Sequence, residues 1–478
     1  RGGAPGNDTE PEEDYTTGMI RLSSPPPIHL TPLVREIPWA DPATLLPALA
    51  NQPGIAFLDS ARRDADTGRY SYLGFEPEVP LPQDDLDALG EHLSRWSLEP
   101  DPELPPFQGG VIGVLSYDLG QALESVPAHR GASLGFPRLS AQCYDVVASF
   151  DHAARKAWIV STGVPEAHPK LRQAWAYARL ERLNAILAKA RDARADAVLP
   201  PAVPVRLEEA EARERYVEGA RRVVEYIHAG DLCQANLSLR FEAPRPEGFD
   251  AIAAYLRLRE RQPAPFAACI DTGHGWVLSA SMERFVSLRD GEVETRPIKG
   301  TRPRGRTPEE DAALRDELAA SAKDRAENLM IVDLLRNDLS RVCLPHSVRV
   351  PSLCAVESHA AVHHLVSTVR GELAPGLGAT ELLGATFPGG SITGAPKIRA
   401  MEIIAELESA PRGPYCGAVG WFGYDGAIDT SILIRTVLAG DTRISLSAGA
   451  GIVADSVPEL EYEECVAKVR GIVEALAG

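Results

Sequence analysis

Lysine is the scarcest charged residue of this chain: of 49 basic residues, seven are Lys and 42 are Arg. A composition that writes solvated positive charge as Arg leaves Lys for work a guanidinium cannot do. Nucleophilic attack is one such task, because an ammonium loses its proton at accessible pH. Positive charge is also short overall, 49 Lys and Arg against 67 Asp and Glu, for a net charge of −18. That balance argues against a nucleic-acid surface and against attraction to an anionic membrane. No apolar run approaches the roughly 18 residues that a membrane-spanning helix needs, and no basic, apolar, then small-residue leader opens the sequence. The seven Cys are odd in number and contain no C-x-x-C pair, which excludes a zinc knuckle and a disulfide framework and suits free thiols in a reducing cytosol. There is no G-x-G-x-x-G opening a helix after a strand, hence little case for a dinucleotide cofactor. A cytosolic enzyme is expected.

What is present is enough for a large core: 478 residues, 44% apolar and 24% charged. Residues 1–30 are rich in Gly, Pro, Asp and Glu without periodicity and read as a disordered tail. Short strand-like runs and one long helical stretch follow, up to the Pro-rich "DAVLPPAVPVRL". That break divides the chain into an N-terminal domain, 31–200, and a C-terminal domain, 201–478. Runs of strands broken by isolated helices, without regular βα alternation, predict an α+β fold with largely antiparallel sheets.

Three stretches carry candidate chemistry. "TRPIKGTRPRG" sets Lys299 in a Pro/Gly/Thr segment, where an ordinary turn lysine is the competing reading. "SAKDRAENLMIVDLLRND" predicts a helix with Asp324 and Glu327 on one face and Leu329, Met330, Val332, Leu334 and Leu335 on the apolar side. "ADSVPELEYEECVAKVRGIVEAL" predicts a second helix, capped by Ser456 and Glu459, with Glu461, Glu464 and Lys468 within about 60° of arc. Two carboxylate pairs on separate helices either stay solvated or meet around a hard cation such as Mg2+.

Taken together the motifs resemble the chorismate-utilising enzymes: anthranilate synthase component I, aminodeoxychorismate synthase component I, and the isochorismate and salicylate synthases. The matching stretches include "PPFQGGVIGVLSYDLG", "GDLCQANLSLRF", "SASMERF", "RPIKGTRPRG", "SAKDRAENLMIVDLLRND", "VHHLVSTV", "FPGGSITGAPKIRAMEIIAELE", "YCGAVGWF" and "SAGAGIVADS", in the family's order. The resemblance implies an α/β sandwich of two large antiparallel sheets with flanking helices and a packed N-terminal region. It implies Mg2+ on Glu327 and Glu464, with Asp324 and Glu461 acting through water. A substrate pocket of Gly300, Thr301, Ser391, Thr393, Tyr415, Arg435, Gly449, Ala450, Gly451 and Lys468 is implied too, with His364 as the active-site histidine and His363 as its structural neighbour.

Within the family, two positions speak to the reaction. Gln234 stands where water-activating members carry a Lys, so water is not the expected nucleophile. Lys299 stands in "PIKGT" where anthranilate synthases resemble "PIAGT", which points to the aminodeoxychorismate synthases. The resemblance then implies attack of Lys299 on C2 of chorismate, with Glu283 protonating the departing C4 hydroxyl, followed by ammonia at C4. Anthranilate synthase component I is the alternative, and a catalytically silent binding subunit a more distant one. For Glu283 and Lys299 to share a face, the hairpin at Asp290-Gly291 needs a three-residue loop or a bulge. No glutaminase-like Gly-x-Cys-x-Gly elbow occurs, so a separate glutamine amidotransferase subunit is the implied partner. Ser60 and Pro263-Ala264-Pro265 resemble the tryptophan-pocket segments of anthranilate synthases, with Asp59 in place of a Glu. A domain-packing surface is the competing reading there.

Overall fold

The computed structural model describes residues 25–63, 67–78, 80–129, 131–193, 199–359 and 362–477. Two large antiparallel sheets, of twelve and nine strands, dominate it. The expected tail is corrected at its end: Ile28–Leu30 is a strand, paired in parallel with Trp96–Leu98, and Leu30 is buried against Trp96 and Leu98. Residues 1–24 lie outside the described residues.

The sheets lie face to face. Ala56, Tyr72, Ala268 and Val277 of the larger pack against Ile112, Val114, Val419 and Trp421 of the smaller. Phe107 stacks on Trp421 in this layer with ring centroids 5.2 Å apart, and emptying such a site costs about 3–5 kcal/mol. Helices cover the outer faces: Arg213–Ala229, Ala251–Arg261 and Pro458–Ala477 on the larger sheet, Ala322–Ser340 and Ala379–Thr386 on the smaller. A strand covered on both sides has no polar face to show, which is why "GVIGVL" (Gly110–Leu115) reads as one apolar run and is buried throughout.

The Pro-rich division near residue 200 divides the chain without dividing the sheets. The larger sheet takes Ala56–Asp59 and Tyr70–Gly74 from before it and Phe266–Asp271 and Trp276–Ser281 from after it; Ala267 pairs directly with Asp59. In the smaller sheet Gly110–Leu115 lies beside Ala418–Gly423.

The Ala322–Ser340 helix starts at Ser321, whose hydroxyl accepts from the Asp324 backbone N–H at 3.3 Å. Its inward stripe is Asn328, Ile331, Val332, Leu335 and Leu339, whereas Leu329 points outward at 48% exposure. The last helix begins at Pro458, two residues beyond the expected cap. Ser456 does other work: its hydroxyl accepts from the Val453 N–H and donates to Glu461 Oε1 at 2.7 Å. Among the described residues no helix is long and apolar enough to cross a membrane.

Candidate active site

The smaller sheet's hairpin decides whether Glu283 and Lys299 can meet. Arg289 pairs with Glu292 across a two-residue turn, Asp290 and Gly291 at φ 52° and 79°, so the three-residue loop does not form. The bulge does. Register shifts between Arg284 and Val286 against Ile428–Ile432, and between Ile298 and Thr301 against Val362–Glu372. The first extra residue brings Glu283 to the face of Lys299; the second falls at Gly300, past Lys299, and leaves that alignment unchanged. Gly300, at φ +84°, sits in the second bulge, where a Cβ would come within 2.9 Å of the Asp324 side chain.

Glu283 and Lys299 thereby line one cavity of about 670 Å3, a size suited to a small molecule. Gly300, Thr301, Asp324, Glu327, His364, Ser391, Tyr415, Arg435, Gly449, Gly451, Glu461, Glu464 and Lys468 share its wall. Three expected residues do not. Gln234 is buried with its amide against Gly451, where a Cβ would come within 2.2 Å of Nε2. Thr393 is fully buried, and its hydroxyl donates to the Gly389 carbonyl at 3.0 Å. Ala450 alternates with Gly449 and Gly451 along its strand, so its methyl enters the core. The same period of two exposes wall residues that motif reading passed over: Asn236 lies two beyond Gln234, and Ser447 two before Gly449.

Lys299 donates from Nζ to the Ser391 carbonyl at 3.1 Å. Burial lowers its pKa, opposed by the negative charge of Glu283, Glu327 and Glu464. Burial also raises Glu283 to about 7, with Ser391 and Lys299 pulling the other way. His364 shares a hydrogen bond with the Thr301 hydroxyl through Nδ1 at 3.0 Å, its Nε2 is buried with no hydrogen-bond partner among the described residues, and burial pushes its pKa down to about 3, which favours the neutral ring. His363 turns away to Ser358 and Asp311. Its place is structural, tying its strand to the Pro308–Ala320 helix.

The four carboxylates gather on one side. Burial raises the pKa of Glu327, and the charges of Asp324 and Glu461 add to that rise. Asp324 is held by Arg302 at 3.2 Å, Glu461 by Ser456, and Glu464 by Lys468 at 2.6 Å. Among the described residues no three acidic, His or Cys side chains converge as a ready-made metal cage. One or two carboxylates facing an open cavity, with like charges crowding Glu327, are nonetheless what Mg2+ uses when substrate and water fill the remaining positions. Arg435 donates to the Lys468 carbonyl at 3.0 Å, and Lys468 Nζ donates to the Gly449 carbonyl at 2.8 Å. Two cationic groups thus frame the glycine strand.

Residues 62–474 match the chorismate binding enzyme family. The chain belongs to that family. Among its chorismate-binding relatives, aminodeoxychorismate synthase component 1 of Klebsiella aerogenes is 40% identical over 468 residues, 94% of this chain and 99% of that one. Anthranilate synthase component 1 of Thermus thermophilus is 42% identical over 451 residues, 91% and 95% of the two chains. The crystal structure of anthranilate synthase component I from Streptococcus pneumoniae superposes with a TM-score of 0.75 at 31% identity, covering 86% of this chain and 93% of its own. The protein is therefore an enzyme of the chorismate-binding family, and its two large antiparallel sheets are the fold that the sequence resemblance implied.

The segments that resemble a tryptophan pocket lie elsewhere. Ser60 and Pro265 line a separate cavity of about 270 Å3 between the sheets, while Pro263 and Ala264 do not reach it. The Ser60 hydroxyl donates to the Tyr70 carbonyl at 2.6 Å. Asp59 is held by Tyr255 and Arg259 at 2.9 and 2.5 Å.

Proposed function

We propose that the enzyme aminates chorismate at C4, giving 4-amino-4-deoxychorismate, with Lys299 as the transient nucleophile. The observation that carries this reading is the pairing inside the cavity: an amine biased toward its neutral form beside a carboxyl group poised near pH 7. Neutral Lys299 attacks C2, the two ring double bonds shift, and the C4 hydroxyl departs as water with the proton of Glu283. Ammonia then attacks C4, the double bonds shift back, and the lysine amine leaves C2. The lysine departs neutral from its protonated C2 adduct, and the ammonium formed at C4 passes one proton to the Glu283 carboxylate, which restores both groups.

Glu327 and Glu464 would hold Mg2+, with Asp324 and Glu461 supporting through water, and the ion would neutralise the ring carboxylate. Arg435, Tyr415 and the Gly449–Gly451 strand would receive the enolpyruvyl carboxylate, a role supported by their lining the cavity. His364 would contribute a neutral imidazole, and Gly300, Thr301, Ser391 and Lys468 would shape the pocket. Ammonia would come from a separate glutamine amidotransferase subunit, in keeping with the component 1 naming of the relatives. The seven Cys are free thiols, six of them buried, which accords with a reducing cytosol.

Anthranilate synthesis is the second reading, favoured by the equally similar Thermus enzyme. Incubating the protein with chorismate, Mg2+ and ammonium, with chromatography and mass detection, separates the two. Aminodeoxychorismate from the parent and none from Lys299→Ala supports the lysine route; anthranilate from the parent refutes it. The smaller cavity at Ser60 and Pro265 is proposed as a tryptophan pocket, and a tryptophan titration that leaves melting temperature and activity unchanged would overturn that assignment.

A further inference from the structure

Behind the cavity wall lies a charged pair that none of this chemistry uses. Arg412 and Glu408 are 4% and 8% exposed and joined by a forked contact, Nε to Oε2 at 2.9 Å and Nη2 to Oε1 at 2.7 Å. Glu408 is itself anchored to the Gln234–Pro244 strand through the Ser238 N–H and hydroxyl at 2.9 and 2.8 Å. The Tyr117 ring lies 4.5 Å under the guanidinium, and His129 Nε2 is 3.8 Å from Glu408 Oε2.

The remaining donors of Arg412 reach two backbone carbonyls of the cavity wall: Ile392 through Nη1 at 2.9 Å and Asn236 through Nη2 at 2.5 Å. The Asn236 N–H in turn donates to the Thr393 carbonyl at 2.8 Å. The turn containing Ser391 is therefore clamped from behind by the guanidinium at Ile392 and by the strand at the next residue, Thr393. Ser391 is also the residue whose carbonyl receives Lys299 Nζ.

We infer that Arg412 is a positioning residue: by bridging the Ile392 and Asn236 carbonyls it fixes the Ser391 carbonyl, and through it the amine of Lys299. A planar fork can satisfy a carboxylate and two carbonyls together, which a single ammonium cannot. The role rests on Lys299 being the reactive amine, and the test reads that amine directly, whatever the product.

The experiment is competitive labelling of the full-length protein with acetic anhydride at one mildly alkaline pH, quantified by peptide mass spectrometry at Lys299 and at Lys397. Lys397 is a buried lysine held elsewhere, by Asp338 and Thr386. Arg412→Met frees the turn and admits water to the amine. Lys299 then holds its proton more tightly, and its labelling falls by about tenfold for each unit its pKa rises, with Lys397 unchanged. Arg412→Lys keeps a charge opposite Glu408, so it should melt closer to the parent while leaving Lys299 slow to label. It is the variant to read where Arg412→Met does not fold. In turnover, kcat should fall with KM for chorismate nearly unchanged. Parental labelling of Lys299 in a folded variant, or parallel changes at Lys299 and Lys397, would overturn the assignment. Anthranilate as the product, with Lys299 labelling still dependent on Arg412, would overturn the C4 reading and leave the clamp standing.

Discussion

Lys299 and Lys397 both turn inward from the surface, and they are held in opposite ways. Burial lowers the pKa of both. Lys397 meets its counter-charge in contact, Asp338 Oδ2 at 2.7 Å, and spends a second donor on the Thr386 carbonyl at 2.7 Å. Lys299 meets a carbonyl and empty space; no carboxylate among the described residues forms an ion pair with it, and Glu283 acts on it only through space. A contact carboxylate cancels a buried charge and makes a strut. Its absence leaves the amine unneutralised and facing a cavity, which is the condition for chemistry.

The comparison breaks first at Lys299. Lys299→Ala, and equally Lys299→Arg, should lower product formation by about a thousandfold or more while the melting temperature stays near the parent's. Either variant retaining parental turnover would remove the distinction. Lys397→Ala should do the reverse: about 3–5 kcal/mol of stability lost in urea unfolding, because Asp338 is left buried and unpaired, with turnover per folded molecule near the parent's.

A third test concerns the carboxyl partner. Glu283 has a folded-state pKa raised to about 7, so its contribution to stability is full below the unfolded value near 4.3 and is lost as pH rises through about 7. Glu283→Gln should therefore unfold at higher urea than the parent above pH 7, by about 3–4 kcal/mol, and the break near pH 7 in the parent's rate profile should vanish. The smallest effect is expected at Lys323, whose exposed ammonium is 4.0 Å from Glu327. Lys323→Ala should change stability by less than about 0.5 kcal/mol in urea unfolding; a larger loss would place it with the struts.

Lys299 was legible because the chain is so poor in lysine, and the carboxylate pairs because 3.6-residue periodicity puts them on one face of each helix. The bulge that aligns Glu283 with Lys299 was legible only as a requirement. Sequence sets the turn, where Asp290 and Gly291 both tolerate left-handed backbone, but the extra residues arise from pairing with Ile428–Ile432 and Val362–Glu372, far away in the chain. Ser456 misled for a similar reason. A hydroxyl near a helix start caps by accepting a backbone N–H of the first turn, but Ser456 accepts from the Val453 N–H instead and turns its own proton to Glu461. Arg412 left one local sign, Glu408 four residues before it; its other partners, the Asn236 and Ile392 carbonyls, reach it only through the fold.

The pairing of Gly110–Leu115 with Ala418–Gly423 also sets a timetable for synthesis. A ribosome adding about 5–20 residues per second delivers the second strand roughly a quarter-minute to a minute after the first. Over that interval an entirely apolar strand has no permanent neighbour on that edge. Its other edge finds Leu139–Tyr144 early in that interval, so the edge that waits for Ala418–Gly423 is the one left open until the late strand arrives.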